Sequence, residues 1–464
     1  MASLLVAFVL SGVLTSMMLV GIAHKGEVSS AMRDSQALYL ADAGVTASLL
    51  AISGSADAGG KGPGVPATLG SAGAPCALKD GTFWCDLANN GDGTWTVTST
   101  GRAGLRQRVV EAIVRGPLPD VFDHAIFAGN SGANAGYTLD LGGVGGEADK
   151  VEGNVYSGGD VAVEGDATVS GDIHATGAIS GWGGEEGKTH PIPDIAGMDY
   201  AKNNDVDVAA QFAGSTWTPN ALGGSAWQLP KGNPAHIFRK NPSDRTDETS
   251  GTVKDDYFLE DPYEPVSSFK SGHTVVLTDD GADPALDGTD KLYYVDGNLW
   301  VHNFDVLSIK LQHEDGVRIT FVVKGNVFFS DNVLLNNTET EGVAFIAIKD
   351  EAEADSGNIY FGDPRFGTLE EMHTFLYAEN DFVDNNLDAA GSKTVTLTGN
   401  MTAGNQVDID RDFVNPDGTI AHSKLTVDFD PRISNGTLIL PGLPTSGGSA
   451  GGASLVFWRE LGAD

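Results

Sequence analysis

The chain opens on a long unbroken apolar run. Residues 1–23, MASLLVAFVLSGVLTSMMLVGIA, contain no charged side chain. About 20 such residues cross a bilayer core of ~30 Å. The helical pattern then continues: Val28, Met32, Leu38, Val45, Leu49 and Ile52 recur one or two turns apart, with Ala31, Ala41 and Ala43 between them and no proline before Pro63. Apolar residues at this spacing predict one helix from Ala2 to Ile52, roughly 75 Å long at ~1.5 Å per residue. That exceeds a bilayer, so its second half must pack on protein. Gly12, Gly21, Gly26 and Gly44 each cost roughly 1 kcal/mol relative to alanine, and mark bends or close contacts. The alternatives for residues 1–23 are a cleaved secretory signal, with GIA before His24 as the cleavage site, or a plain membrane anchor. The absence of a basic stretch ahead of the apolar run argues against the cleaved signal.

Residues 53–75 form a Gly/Ala/Pro-rich connector. Beyond it, GTFWCDL, TWTVTST and LRQRVVEAIVR alternate apolar and polar positions and are separated by the turn sequences NNGDG and GRAG. They predict a small antiparallel sheet, so that 54–116 is a compact head on the helix. Cys76 and Cys85 are the two cysteines of the chain and flank a turn at Asp80–Gly81. An even pair on a short loop of an exported chain predicts a disulfide.

The pattern then changes. GNVYSG, GDVAVE, GDATVS, GDIHAT and GAISGW repeat every six residues, with Gly153, Gly159, Gly165, Gly171 and Gly177 in register. Glycine followed by Asn or Asp suits a corner that needs left-handed backbone angles. The next aliphatic residue, and another two positions on (Val163, Val169, Ala175), would point inward. Stacked identical rungs bury a continuous column. The Gly–Asn–aliphatic signature returns at Gly297, Gly325, Gly357 and Gly399, more widely spaced and among strands such as VRITFVV and VAFIAI. These features predict a parallel β-helix, started by 117–180 and continued by 291–440. The irregular later spacing favours a right-handed coil. A β-sandwich is the alternative, because strands about ten residues apart fit it too. Residues 181–290 read as an irregular insertion, with Trp182, Trp217 and Trp227 and a short helix around Tyr200–Phe212. In 441–464 a Gly-rich link leads to SLVFWRELGAD, expected to cap the open end of the coil through Val456, Phe457 and Trp458.

Charge divides the 464-residue chain in the same place. Residues 1–116 hold 8 basic and 8 acidic side chains, so the whole net charge of −35 lies in 117–464. A polyanion of this kind does not bind nucleic acid, which needs a basic face. The acidity suits solubility of a displayed domain, or Ca²⁺ binding. The strongest carboxylate run is DIDRDFVNPDG, in which Asp408, Asp410 and Asp412 share one strand face and Asp417 follows. Hard oxygen ligands of this type could take Ca²⁺, although the spacing is not that of an EF-hand and a solvated acidic face is the alternative. A second acidic loop is Asp279, Asp280, Asp283, Asp287 and Asp290. Arg411 lies within the first run, but no constellation of His, Arg and Lys accompanies either, and the chain carries no HExxH, GxSxG or P-loop motif. No enzymatic activity is expected.

SQALYLADAGVTASLL, directly after the apolar segment, resembles the corresponding stretch of type IV pilin-like proteins of the minor-pilin kind. The Ala–acid–Ala–Gly run is here Ala41, Asp42, Ala43 and Gly44, preceded by Tyr39. The resemblance covers about the first quarter of the chain and implies an α+β pilin-like head. It also implies a leader peptidase that cuts before the apolar segment, so that a chain beginning at Met1 would be the processed form. Residence in the inner membrane, then polymerisation by the type IV pilus machinery, would follow. One position departs from the family: Leu5 stands where pilins usually carry a glutamate. The hexads locally resemble those of bactofilin-type polymer-forming proteins. Together these features predict a structural subunit of an extracellular pilus-like filament, a helical homopolymer with the acidic coil outside. The assembly helix would use Leu4, Leu5, Phe8, Leu14, Met18, Met32, Leu38, Tyr39, Ala41, Asp42 and Gly44. The alternatives are a membrane-anchored or pilus-tip adhesin facing a glycan or other cell-surface ligand, and a β-helix carbohydrate-active enzyme.

Overall fold

The structure, a computed structural model, describes residues 2–56, 66–89, 94–115, 120–190, 192, 195, 199–214, 218–219, 227–229, 233–235, 237–241, 255–259, 274–278, 290–301, 308–312, 317–329, 332–335, 337–362, 369–384, 394–414, 417–443 and 454–461. It is mostly β, with one long helix at the N-terminus.

That helix, α1 (Ala2–Ala56), runs without a break through all four of its early glycines. Its 55 residues span about 80 Å at ~1.5 Å per residue. Ala37, Leu40, Ala41, Gly44, Val45, Ser48 and Ile52 form its buried stripe. They meet a sheet built from β1 (Thr68–Leu69), β2 (Cys76–Leu78), β3 (Gly81–Asn89), β4 (Thr94–Ala103) and β5 (Arg106–Arg115). Alternation aims Phe83, Cys85 and Leu87 of β3, Val97 of β4, and Val110, Ala112 and Val114 of β5 at the helix.

The sheet gains its last strand from the other end of the chain. Ser454–Leu461 pairs antiparallel with β5, from Ser454 opposite Arg115 to Leu461 opposite Val109. This corrects the expectation that the tail caps the repeat domain. An uncovered β5 would expose a row of unpaired backbone groups. The returning strand fills that row and adds the ion pairs Arg108–Glu460, at 2.9 Å, and Arg459–Glu111. Residues 116–453 are thus inserted between two neighbouring strands of the head sheet.

Within the insertion, the described strands pair in parallel except in two places. One is the run Thr218–Pro219, Trp227–Gln228, Phe238–Asn241 and Asp256–Leu259. The other is the hairpin of Asp412–Val414 with Ile420–His422. Parallel pairing on this scale is incompatible with the antiparallel sandwich. In the hexad block, Ile173 lies opposite Val155, Val161 opposite Ile179, and Thr168 opposite Lys150, each eighteen residues apart. Each strand of the block therefore pairs in parallel with one three hexads away. Val155, Val161, Ala167 and Ile173 are all buried, as are Val163, Val169 and Ala175.

Corners are tied by side-chain amides. Asn298 Oδ1 accepts the Asn326 backbone N–H at 3.0 Å, and Asn326 Oδ1 accepts that of Asn358 at 3.0 Å. Asn358 Oδ1 in turn accepts from Asn380 Nδ2 at 2.8 Å. In the hexads, Asn154 Oδ1 receives Asp172 N–H and Asp160 Oδ1 receives Ala178 N–H. Asn154, Asp160, Asn298 and Asn326, each directly after a corner glycine, thus satisfy a backbone donor on the neighbouring strand, and at Gly357 a φ of 79° supplies the turn. Outward of the same strands, Trp300 stacks on Phe328 at 4.1 Å and Phe328 on Tyr360 at 4.7 Å.

The chain visits this stack in an order the repeats do not reveal. From His124–Ala128 the hexads run to one end, at Glu185–Glu186. The chain rejoins at the opposite end, at Val206–Asp207, and works back to Val395–Ala403. That strand pairs with His124–Ala128, placing Met401 opposite Ile126. Tyr137 seals the joint: its hydroxyl accepts the Val407 N–H at 2.9 Å and donates to the Val407 carbonyl at 3.2 Å. The outward face of the largest sheet is covered by Ile195 and Tyr200 and by Ile433, Leu438, Leu440 and Leu443. Much of 181–290 lies outside the described residues, Trp217 included; its helix is α2 (Val208–Gly214).

Candidate assembly surface and acidic row

The helix is two-faced. At ~100° per residue, Met17, Met18, Val28, Met32, Tyr39 and Leu50 fall within an arc of about 100°. All six are exposed, Met18 at 70% and Tyr39 at 74%. The arc lies on the far side of the helix from Ala37, Ala41 and Ser48, which are buried toward the sheet. Asp42 is exposed and Leu38 half-buried. The side chains of Leu4, Leu5, Phe8 and Leu14 lie outside the described residues, although their backbone is helical. Val28–Ile52 is long and apolar enough to cross a membrane by length and composition.

The sheet grips the helix from about Ser30 onward. Arg106 hydrogen-bonds Ser30, and Asp34 lies 3.8 Å from Arg106 and 3.9 Å from Arg108. Farther along, Ala41 and Gly44 pack against the strands with almost no space between backbones. A Cβ on Gly101 would lie 2.1 Å from the Ala37 carbonyl oxygen. Of the resembling run, Ala41 and Gly44 therefore serve the head, while Tyr39 and Asp42 face outward.

Cys76 and Cys85 are separate thiols, not the expected disulfide. Cys76 stands opposite Phe83 and Cys85 opposite Leu69, so the two are offset on β2 and β3 rather than directly across from one another. Cys85 is buried under α1, where its S–H donates to Ser99 Oγ at 3.4 Å. Burial pushes its thiol above the ordinary range.

Along the acidic row, Val407, Ile409, Arg411 and Phe413 point inward while Asp408, Asp410 and Asp412 point out. The three carboxylates share a face, as the alternation predicts, but they are not free to converge. Asp410 accepts the Asp412 N–H at 3.0 Å, and Asp417 caps Thr419. Burial, with Asp410 and Asp381 nearby, raises the Asp408 carboxyl above its ordinary range. Asp412 turns to His422, whose Nδ1 lies 2.8 Å from it; His422 Nε2 lies 3.1 Å from buried Asp149. The Asp149 contact first, and Asp412 with it, hold His422 up at about 9. Arg411, itself buried, is bound through Nη1 to both Asp384 oxygens, at 2.9 and 3.2 Å. Of the second acidic loop, Asp290 is described and faces Arg318 at 3.3 Å; Asp279, Asp280, Asp283 and Asp287 lie outside the described residues.

No protein-family profile matches the chain, and no curated protein matches it. Among solved structures, the competence-associated pilin ComZ from Thermus thermophilus is similar at 14% identity, over 92% of this chain and 98% of that one, with a TM-score of 0.32. A likeness at that score carries no assignment.

Two clusters have no signature in the sequence. Asp149 and His422 meet across 273 positions. His124, His174 and His190 also come together, on the outward face of the hexad block. No spacing rule links either set.

Proposed function

We propose that the chain is a structural subunit of an extracellular type IV pilus-like filament. The observation that carries this reading is the second face of α1. From Ser30 onward one side of the helix packs on its own head while the opposite side exposes Met32, Tyr39 and Leu50, and the same arc continues toward the N-terminus through Val28, Met18 and Met17. Removing such side chains from water is worth roughly 25 cal/mol per Å², and a helix far longer than its head offers that area to copies of itself. Before assembly, the inner membrane would hold the apolar half, and the leader peptidase and pilus machinery would process and polymerise the chain. Leu5 leaves register to packing between helices.

The insertion reads best as a parallel β-helix displayed outside the filament. Parallel rungs, inward aliphatic columns and amide-tied corners support that reading. Its acidity would keep neighbouring filaments apart, and its surface would meet a glycan or other cell-surface ligand. We assign it no catalytic step: Asp412 and Asp384 are engaged with His422 and Arg411. Met32→Lys tests the proposal. It leaves the head contacts alone and places a charge in the stripe, so subunits should fold but not polymerise. Normal filaments from this variant would contradict the stripe's role.

A further inference from the structure

In the hexad block, residues between inward aliphatics face outward. His174 stands between buried Ile173 and Ala175. Across the sheet it aligns with Tyr156 and Phe127 on one side and with Glu185 on the other. His124, buried, begins the strand at the joint of the stack. His190 follows the end strand Glu185–Glu186 and returns over the same face. Its ring stacks on that of His174 with centroids 5.0 Å apart and lies 5.1 Å from that of His124.

One ring nitrogen from each histidine lies within 4.8 Å of the others, and His174 Nδ1 is 2.9 Å from His190 Nε2. Zinc–imidazole bonds are about 2.0–2.1 Å, which sets tetrahedral nitrogens roughly 3.3 Å apart. The observed separations bracket that value, so small rotations of the side chains would close the set. The donors are all imidazole, which suits zinc-class ions and not Ca²⁺ or Mg²⁺. The second ring nitrogen of His174 lies 3.9 Å from Glu185 Oε2, beyond hydrogen-bond distance, and that oxygen accepts from Lys188 Nζ at 2.8 Å. A carboxylate behind a ligating histidine is the usual outer-shell partner, fixing the tautomer and orienting the ring. Tyr156 and Phe127 wall the site with rings.

We propose that His124, His174 and His190 bind one zinc-class divalent transition-metal ion, with water in the fourth position and Glu185 behind His174. The ion fastens residues 187–190 to the end of the hexad stack, joining three separate points of the chain. The site is independent of whether the chain polymerises.

The test uses the full chain in detergent after removal of metal with a chelator. Co²⁺ and then Zn²⁺ are titrated in, following visible absorption, heat and melting temperature. The expected result is one equivalent of Co²⁺ with tetrahedral d–d bands, bleached by Zn²⁺, and a higher melting temperature; excess Ca²⁺ does not compete. His190→Gln, in the returning segment, should weaken affinity about tenfold or more while the metal-free protein melts as before. His373→Gln, elsewhere in the stack, should bind normally. Absence of saturable one-equivalent binding overturns the proposal. So does a His190→Gln variant that binds like the parent, which would place the ion at other histidines.

Discussion

Gly44 lies so close to the head sheet that a Cβ on it would sit 2.1 Å from Ser99 Oγ and 2.7 Å from Cys85 Sγ. The Ser99 hydroxyl is already donated to the Ala41 carbonyl at 2.6 Å. Helix and sheet are therefore joined at the glycine of the Ala41–Gly44 run. Alanine is the better helix former by about 1 kcal/mol, yet here overpacking should outweigh that. Gly44→Ala is expected to destabilise the head by about 1–3 kcal/mol, read as a lower unfolding midpoint. A more stable variant would mean that helix and sheet are not in contact there.

Tyr137 holds together two parts of the stack that are 270 residues apart in sequence. Tyr137→Phe keeps the ring but strands the buried Val407 N–H, at a cost of about 1–3 kcal/mol. Hydrogen exchange should accelerate at Val407 and along the Met401–Ile126 pairing. Unchanged exchange there would count against the joint.

His422 gives the fold a pH dependence of known sign. Its pKa is raised from the ordinary value to about 9 by Asp149 and Asp412. Its contribution is thus fully present below about pH 6.5 and is lost as pH rises through about 9. Melting temperature should fall over that window in the parent, and His422→Gln should flatten the fall. It should also lower stability at neutral pH, because Asp149 is left buried without its charged partner. A variant with the parent's pH profile would refute this.

The cysteines provide a chemical check. Protein isolated without reductant should yield two thiols on unfolding. In the folded state Cys85 should react far more slowly than Cys76, since burial both shields it and keeps it protonated. Finding no titratable thiol would restore the disulfide.

Much of this architecture is legible in the residues. The helix announces itself by spacing, and the hexads locate their own buried aliphatic positions, because each depends on neighbours close in sequence. Val155 and Ile173 are buried for the same local reason that Gly153 precedes a corner. What escapes is long-range. Nothing in SLVFWRE distinguishes a strand that caps a coil from one that completes the sheet beside Arg106–Arg115. Asp412 reads from the sequence only as part of an acidic row, and its contact with His422, ten positions on, carries no local signal. Cys76 and Cys85 are separate thiols on neighbouring strands, with Cys76 set opposite Phe83, a register that loop length does not reveal.

The central claim is that α1 joins copies of this chain in a filament. Electron cryomicroscopy of surface filaments purified from the native source tests it most directly. The account predicts helical fibres built largely of this chain, with α1 helices bundled at the axis, the Met32–Tyr39 stripe between neighbours, and the acidic insertion outermost. Recovery of the chain only as single copies in detergent micelles, with no fibre containing it, would contradict the account.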